Sequence, residues 1–599
     1  MRILLLTHAF NSLAQRLWVE LRAAGHELSV ELDIADSVTE EAVVLFRPDV
    51  VLAPFLKRAI PESVWSRQLC LVVHPGPPGD RGPSALDHAV LEGARDWGVT
   101  VLQAAAEFDA GHVWAWQPCT LRAGATKASL YRHEVVQAAC AAVHAALERV
   151  RPGSAEPAPA ALPAPPQPPR GWRPLVTRAE RTIDWARHGA DAALRLIASA
   201  DGFPGACGTL FGQACRLFDA HAASAAVVER CAAARPGDAV ARRGPALLVR
   251  AAQGALWLGH VRVGDGGLKL PAVDAFGPDA AALPEWPVPL QRADDEWDEL
   301  RYTEHGTDEA RVGRIDFDVH NGALSERQAG RLLQALAHAT ARPTRVLVLA
   351  GGADFFSNGI HLHAIEAAAA RPGDSAADAS MRAIEAIDDV ALAILSLTDR
   401  LTVAALRGNA GAGGCVLALA ADRVWAHAGV VQNPHYKNMG NLYGSEYWTY
   451  LLPRRVGVER AAALMRGRLP MGAAEAHALG LVDAVLGADA AAFEPLLMHE
   501  AQALAAHEGW AARVQAKQRR RADDEAARPL AAYRADELAR MRRNFYGFDP
   551  SYHVARHHFV HRKPHAWTPR HLAVHRQPNP PALHRQPRPA APPPEPTER

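Results

Sequence analysis

His74 directly follows the apolar run Leu71-Val72-Val73, and Glu107-Phe-Asp109-Ala-Gly111 lies further along the same segment. A histidine titrates near neutrality and can move protons in either direction, while an aspartate can orient its ring and stabilise the imidazolium. The same two residues also suit a turn-capped loop histidine and an Asx turn. Two glycine-bearing stretches follow, Gly351 to Ile360 and Arg407 to Gly414. The second opens a helix, where glycine permits close backbone approach and the N-terminal dipole favours negative charge. Glycine-rich strand-to-helix turns are also ordinary packing solutions. Between Asn433 and Tyr450 the chain is dense in polar and aromatic groups, with Tyr436 and Glu446 as its proton-handling candidates. Their plain alternatives are a hydrogen-bonded tyrosine and a solvated helix carboxylate.

These residues need elements to position them. Short apolar runs at 2–6, 50–53 and 71–73, separated by helix-forming segments such as Leu13 to Ala24, predict a mostly parallel α/β sheet over 1–150. Proline and alanine then dominate 151–174, the composition of a semi-rigid spacer. Residues 175–292 begin with a helical segment around Asp191 and continue as short apolar runs between glycines, predicting a small β-rich domain. The strand-and-helix pattern returns over 298–545, ending in Ala-, Arg- and Glu-rich helices. Residues 560–599 are rich in His, Pro and Arg without periodicity and are expected to be largely disordered. The histidines at 553, 557, 558, 561, 565, 571, 575 and 584 show no closed ligand spacing, so no metal is assigned.

Composition narrows the function classes. The 65 basic and 65 acidic residues cancel, which argues against nucleic acid or a membrane surface as partner. No stretch of about 18 apolar residues predicts a membrane span, and the opening apolar run is too short for a signal peptide. Seven scattered cysteines favour free thiols in a reducing, cytoplasmic setting.

The loop His74 to Pro83, the Asp-x-Gly at Asp109, and the later Arg181-Thr-Ile-Asp-Trp185 and Ala200-Asp-Gly-Phe-Pro-Gly205 resemble the formyl-tetrahydrofolate-dependent formyltransferases. The resemblance implies a Rossmann-like catalytic domain, a small OB-like β domain, tetrahydrofolate as formyl carrier, His74 and Asp109 as catalytic residues, and Arg81 and Gly82 against substrate. The family's asparagine two residues before the histidine is Val72 here, which leaves Asn11 to hold the formyl oxygen or else to cap a helix. The loop also looks one residue shorter than the family's, which suits an acceptor other than methionyl-tRNA.

The two glycine-bearing stretches, with Pro453-Arg-Arg-Val-Gly457 and Gly480-Leu-Val-Asp483, resemble the crotonase (enoyl-CoA hydratase/isomerase) superfamily. By that resemblance the N–H groups of Ile360 and Gly413 form an oxyanion hole for a coenzyme A thioester, with Gly359 and Gly414 lining it. The hydratase glutamates are replaced by Val416 and His435, so enoyl-CoA hydration is not expected.

The fusion of the two, with its Asp-Arg-Gly-Pro-Ser and Asn-Pro-His-Tyr-Lys stretches, resembles a family of NiFe-hydrogenase maturation factors. That implies formyl transfer to CoA, decarbonylation of formyl-CoA to CO, hydrogenase assembly proteins as partners, and an interior passage joining the sites. A non-catalytic folate- and CoA-binding regulator, or a formyltransferase with another acceptor and a separate acyl-CoA activity, stays open.

Overall fold

A computed structural model describes residues 1–151, 162 and 170–577; most of the proline-rich spacer and the stretch 578–599 lie outside the described residues. The first unit is a six-stranded sheet. Strands Arg2–Thr7, Glu27–Leu32, Val50–Phe55 and Cys70–His74 run parallel, and Asp96–Gln103 and Val113–Thr120 add antiparallel at one edge. The parallel strands are buried along nearly their whole length, as expected of strands covered on both faces. Helix Ser12–Ala23 is capped by the Asn11 side chain, which accepts from Ala14 N–H, and turns Leu13, Leu17 and Leu21 into the core.

The second unit is an antiparallel sheet built around Gln213–Ala222 and Ala255–Val263, with helix Ala190–Ala200 packed on it. In the third unit, parallel strands Val312–Phe317, Val346–Gly351, Leu401–Leu406 and Arg423–Ala426 form the main sheet. The last three of these each lead into a short strand of a smaller sheet: Phe355–Ser357, Asn409–Gly411 and Val431–Asn433. The chain therefore steps repeatedly from one sheet to the other, and each step carries a candidate loop to the same end of the unit. Helices Trp510–Ala527, Leu530–Tyr546 and Ser551–Val560 complete the C-terminal extension.

One expectation is corrected. Instead of losing structure at 560, the chain packs through Gln577 onto the first sheet: Val30 N–H donates to Leu572 C=O at 3.0 Å, and His575 and Arg576 reach Glu31 at 3.0 and 2.7 Å. The docking is local to a few residues, with Leu572 joining the core of the first unit and polar contacts around it, so it carries no hydrophobic periodicity to read. Among the described residues, no helix is long and apolar enough to cross a membrane.

Candidate functional site

The first cluster forms where strand Cys70–His74 ends. His74 is buried between two carboxylates, with Nε2 3.1 Å from Asp80 Oδ1 and Nδ1 3.5 Å from Asp109 Oδ1. Each carboxylate is anchored by its second oxygen. Arg173 Nη2 donates to Asp80 Oδ2 at 2.8 Å, and the Gly82 N–H donates to Asp109 Oδ2 at 3.0 Å. Gly76 leaves the space the ring needs, since a Cβ there would lie 2.6 Å from His74 Nε2. Arg81 points to Glu107 at 2.8 Å. Val72 sits two residues before His74 on the same strand. Asn11, besides capping its helix, donates Nδ2 to the hydroxyl of the partly buried Tyr131 at 3.1 Å, so both ends of its amide are engaged within the protein. Asp80 and Arg173 were not among the expected residues. Asp80 lies in the same loop, six residues after His74, and that closeness is the sequence signal that points to it.

The second cluster gathers at the loops of the third unit. Gly359 adopts φ +79°, and a Cβ on it would approach Gly413 N at 3.7 Å, which brings the two expected oxyanion segments face to face. Ile360 follows in strand Gly359–Ile360, paired with Ala323–Leu324, and Gly414 packs against Ser357. Helix Gly413–Leu419 begins at Gly413, so its first N–H groups have no partner within the helix.

Glu446 faces that helix start. A Cβ at Gly413 would overlap Glu446 Oε1 and stand 2.8 Å from the carboxyl carbon. The Tyr436 hydroxyl donates directly to Glu446 Oε2. Both side chains are buried, Glu446 at 1% exposure and Tyr436 at 5%. Burial pushes the Glu446 carboxyl up to about 7. Burial first, and the Glu446 charge second, push the Tyr436 phenol well above its usual value.

The backbone that presents Glu446 is strained, with Glu446 and Tyr447 both left-handed at φ 61° and 62°. Two such residues in succession cost on the order of 1–3 kcal/mol each and need outside support. Asp388 accepts the Glu446 N–H at 2.8 Å, and Glu537, from the C-terminal helix Leu530–Tyr546, accepts the N–H groups of Tyr447 at 2.9 Å and Thr449 at 2.7 Å. Burial raises both supports, Asp388 well above the usual carboxylate range and Glu537 to about 8. Neither was anticipated. Val416 is packed in the core, and His435 is buried with its pKa drawn down to about 4 by that burial.

Replacing Gly413 by alanine is expected to drive a methyl group into the Glu446 carboxyl. Overpacking of this kind costs ~1–3 kcal/mol. Thermal unfolding of the variant should show a lowered midpoint, together with loss of any thioester chemistry at this cluster.

The two clusters are linked through the loop between them. Asn433 Nδ2 donates to Gln15 Oε1 at 3.0 Å on helix Ser12–Ala23, and Asp354 receives Ser129 at 2.8 Å, Arg132 at 2.7 Å and His133 at 3.0 Å from the first unit.

Three family models match: formyl transferase over 25–145, formyl transferase C-terminal domain over 175–272, and enoyl-CoA hydratase/isomerase over 308–568. Among curated relatives, the hydrogenase maturation factor HoxX of Bradyrhizobium diazoefficiens is 53% identical over 96% of this chain and 97% of its own length. The chain belongs to the HypX/HoxX family of hydrogenase maturation factors. A solved family structure, HypX from Aquifex aeolicus in complex with tetrahydrofolic acid, superposes with a TM-score of 0.88 at 41% identity, covering 96% of this chain and 99% of that one. Methionyl-tRNA formyltransferase of Ralstonia pickettii is 27% identical over 44% of this chain and 77% of its own. The first cluster lies in the part matched by the formyl transferase model and the second in the part matched by the enoyl-CoA hydratase/isomerase model.

Proposed function

We propose that this HypX/HoxX family member moves a formyl group from formyl-tetrahydrofolate to the thiol of CoA at His74 and Asp109, and releases CO from the resulting formyl-CoA at Tyr436 and Glu446. The observation that carries this reading is the Tyr436–Glu446 pair lying directly against the start of helix Gly413–Leu419. The tetrahydrofolate bound to the Aquifex relative supports the donor.

At the first site His74 takes the thiol proton as sulfur attacks the formyl carbon, then returns a proton to the departing folate nitrogen. Asp109 holds the ring at Nδ1, with Asp80 at Nε2. At the second site Glu446 removes the formyl proton while the C–S bond breaks with its electron pair on sulfur. Tyr436 protonates that thiolate, and the proton held by Glu446 passes back to the phenolate through their hydrogen bond. The products are CO and free CoA, and no oxidant or reductant is needed. The N–H groups of Ile360 and Gly413 orient the thioester oxygen, with Gly359 and Gly414 leaving room for it. Arg81 and Gly82 are the proposed substrate contacts of the first site, and Asn11 remains the proposed neighbour of the formyl oxygen.

This reading calls for a passage between residues 1–290 and 310–500, so that a single pantetheine arm can serve both sites. Arg262, Lys269 and Arg562 line a cavity between the two halves that suits the CoA phosphates. Burial lowers Lys269 to about 8, and a bound phosphate would hold its ammonium in the charged form. The CO serves the iron of a NiFe hydrogenase in the cytoplasm, with hydrogenase assembly proteins as partners.

The experiment is to incubate the protein with formyl-tetrahydrofolate and CoA and trap CO on deoxy-haemoglobin. Accumulation of formyl-CoA without CO would leave only the first step standing. The pH profile offers a second check. A base that titrates at about 7 and works as the carboxylate requires CO release from supplied formyl-CoA to rise about tenfold per pH unit below 7 and level off above it. A rate independent of pH between 5.5 and 8 would exclude Glu446 as the base.

A further inference from the structure

Beside the cavity of Arg262, Lys269 and Arg562, which His561 also lines, the C-terminal extension brings three ligand-type side chains together. His557 and His561 stand four positions apart at the end of helix Ser551–Val560, where the His561 N–H still donates to His557 C=O, so both rings share one face. Across from them is Glu366, in helix Leu362–Ala368. Its Oε1 lies 2.9 Å from His557 Nδ1 and 3.2 Å from His561 Nε2, while Oε2 accepts from Arg556 Nε at 2.8 Å. All three ligand atoms fall within 4.8 Å of one another.

Zinc-like ions hold imidazole nitrogen at ~2.0–2.1 Å and carboxylate oxygen at ~2.0–2.2 Å, which places neighbouring donors of a tetrahedron roughly 3.3 Å apart. The two carboxylate–imidazole separations, 2.9 and 3.2 Å, need only a few tenths of an ångström of opening. Arg556 already pairs with Glu366 through Oε2 and fixes the carboxylate, the role an outer group plays around a ligating carboxylate. Charge pairing alone does not call for two further imidazoles on the same oxygen. The histidine side chains are 47% and 33% exposed, which leaves room for water at a fourth position.

We propose that Glu366, His557 and His561 form a site for a divalent transition metal of the zinc class, completed by water. Imidazole and carboxylate donors suit zinc, cobalt and nickel better than magnesium or calcium. Binding displaces the proton that each imidazole now directs at Oε1, either to its other nitrogen or to solvent, so uptake strengthens as pH rises. The ion would tie the C-terminal helix to the helix that follows Gly359–Ile360, joining the extension to one side of the thioester site. The other ligand-type group among the described residues, Asp219, His260 and His320, has the Lys269 ammonium 3.3 Å from His320 Nε2, a cation where a metal would need none.

The test uses the untagged full-length protein, stripped with a chelator and titrated with Co²⁺ alone. One equivalent per chain is expected, with the visible absorption of a four- or five-coordinate imidazole–carboxylate site, and Zn²⁺ should displace it. His557→Ala/His561→Ala and Glu366→Gln should each lose that equivalent or bind it at least tenfold more weakly. Circular dichroism of the double variant should match the parent, because both histidines are at the surface. Failure of the parent protein to take up Co²⁺, or an unchanged stoichiometry and spectrum in the double variant, would overturn the proposal.

Discussion

Glu446→Gln should lower CO release from supplied formyl-CoA by about 10²–10⁴-fold, the usual contribution of a positioned general base, while formyl-CoA synthesis from formyl-tetrahydrofolate continues. The amide keeps the volume of the carboxylate against Gly413 and can still accept from Tyr436, so a loss of rate reports the missing base and not a collapsed site. Stability should move in the opposite direction. In the folded protein the Glu446 carboxyl is raised from 4.5 to about 7, so the native state binds this proton more tightly than the unfolded chain. The parent protein therefore loses stability as pH climbs from about 4.5 through 7, by on the order of 3 kcal/mol for this group. Asp388 and Glu537, raised in the same direction, add to that slope. The glutamine variant lacks the Glu446 share, so its denaturation midpoint should fall less between pH 5 and pH 8 than the parent's. A variant that releases CO at the parent rate would sink the assignment. Tyr436→Phe should share the kinetic loss, since it removes the proton that the departing thiolate takes up.

His74→Ala should give the mirror image, with formyl transfer from formyl-tetrahydrofolate to CoA reduced by about 10²–10⁴-fold and decarbonylation of supplied formyl-CoA kept. The two failures separate because the clusters lie in different units and share only the thioester. The cavity left by the ring also removes the partner of two buried or half-buried carboxylates. Asp80 keeps Arg173 and Asp109 keeps the Gly82 N–H, so the fold should tolerate the change. Direct assay of formyl-CoA by chromatography decides the matter. A variant that still forms it at the parent rate would move the first step to another residue.

What the sequence made legible follows the range of the interactions. His74 and Asp109 belong to compact motifs beside strands, and the glycines at 359 and 413 mark places where backbones must come close, so spacing alone points to them. Tyr436 and Glu446 are ten positions apart in one loop and were readable as an unusually polar stretch. Their supports were not. Asp388 lies 58 positions from Glu446, Glu537 lies 90 from Tyr447, and Arg173 reaches Asp80 from 93 positions away across the proline-rich stretch. None of these three belongs to a motif, and each matters only through a hydrogen bond that the tertiary fold creates. The left-handed backbone at Glu446 and Tyr447 was equally hidden, because neither residue type signals it.

The docking of the last described residues onto the first sheet sets the order in which the protein can be finished. Glu31 is fully buried in one of the earliest strands, and although burial would raise its pKa, contacts from His575, Thr568 and Arg576 hold it low. Arg576 is 545 positions away. At a synthesis rate of about 5–20 residues per second, the partners of that carboxylate leave the ribosome roughly half a minute to two minutes after it does. During that interval the nascent N-terminal unit carries a carboxylate that it cannot bury in charged form, so this part of the core must stay hydrated or protonated. A chain released before residue 568 would never close it, which makes completion of the C-terminus a checkpoint on the maturity of the whole molecule.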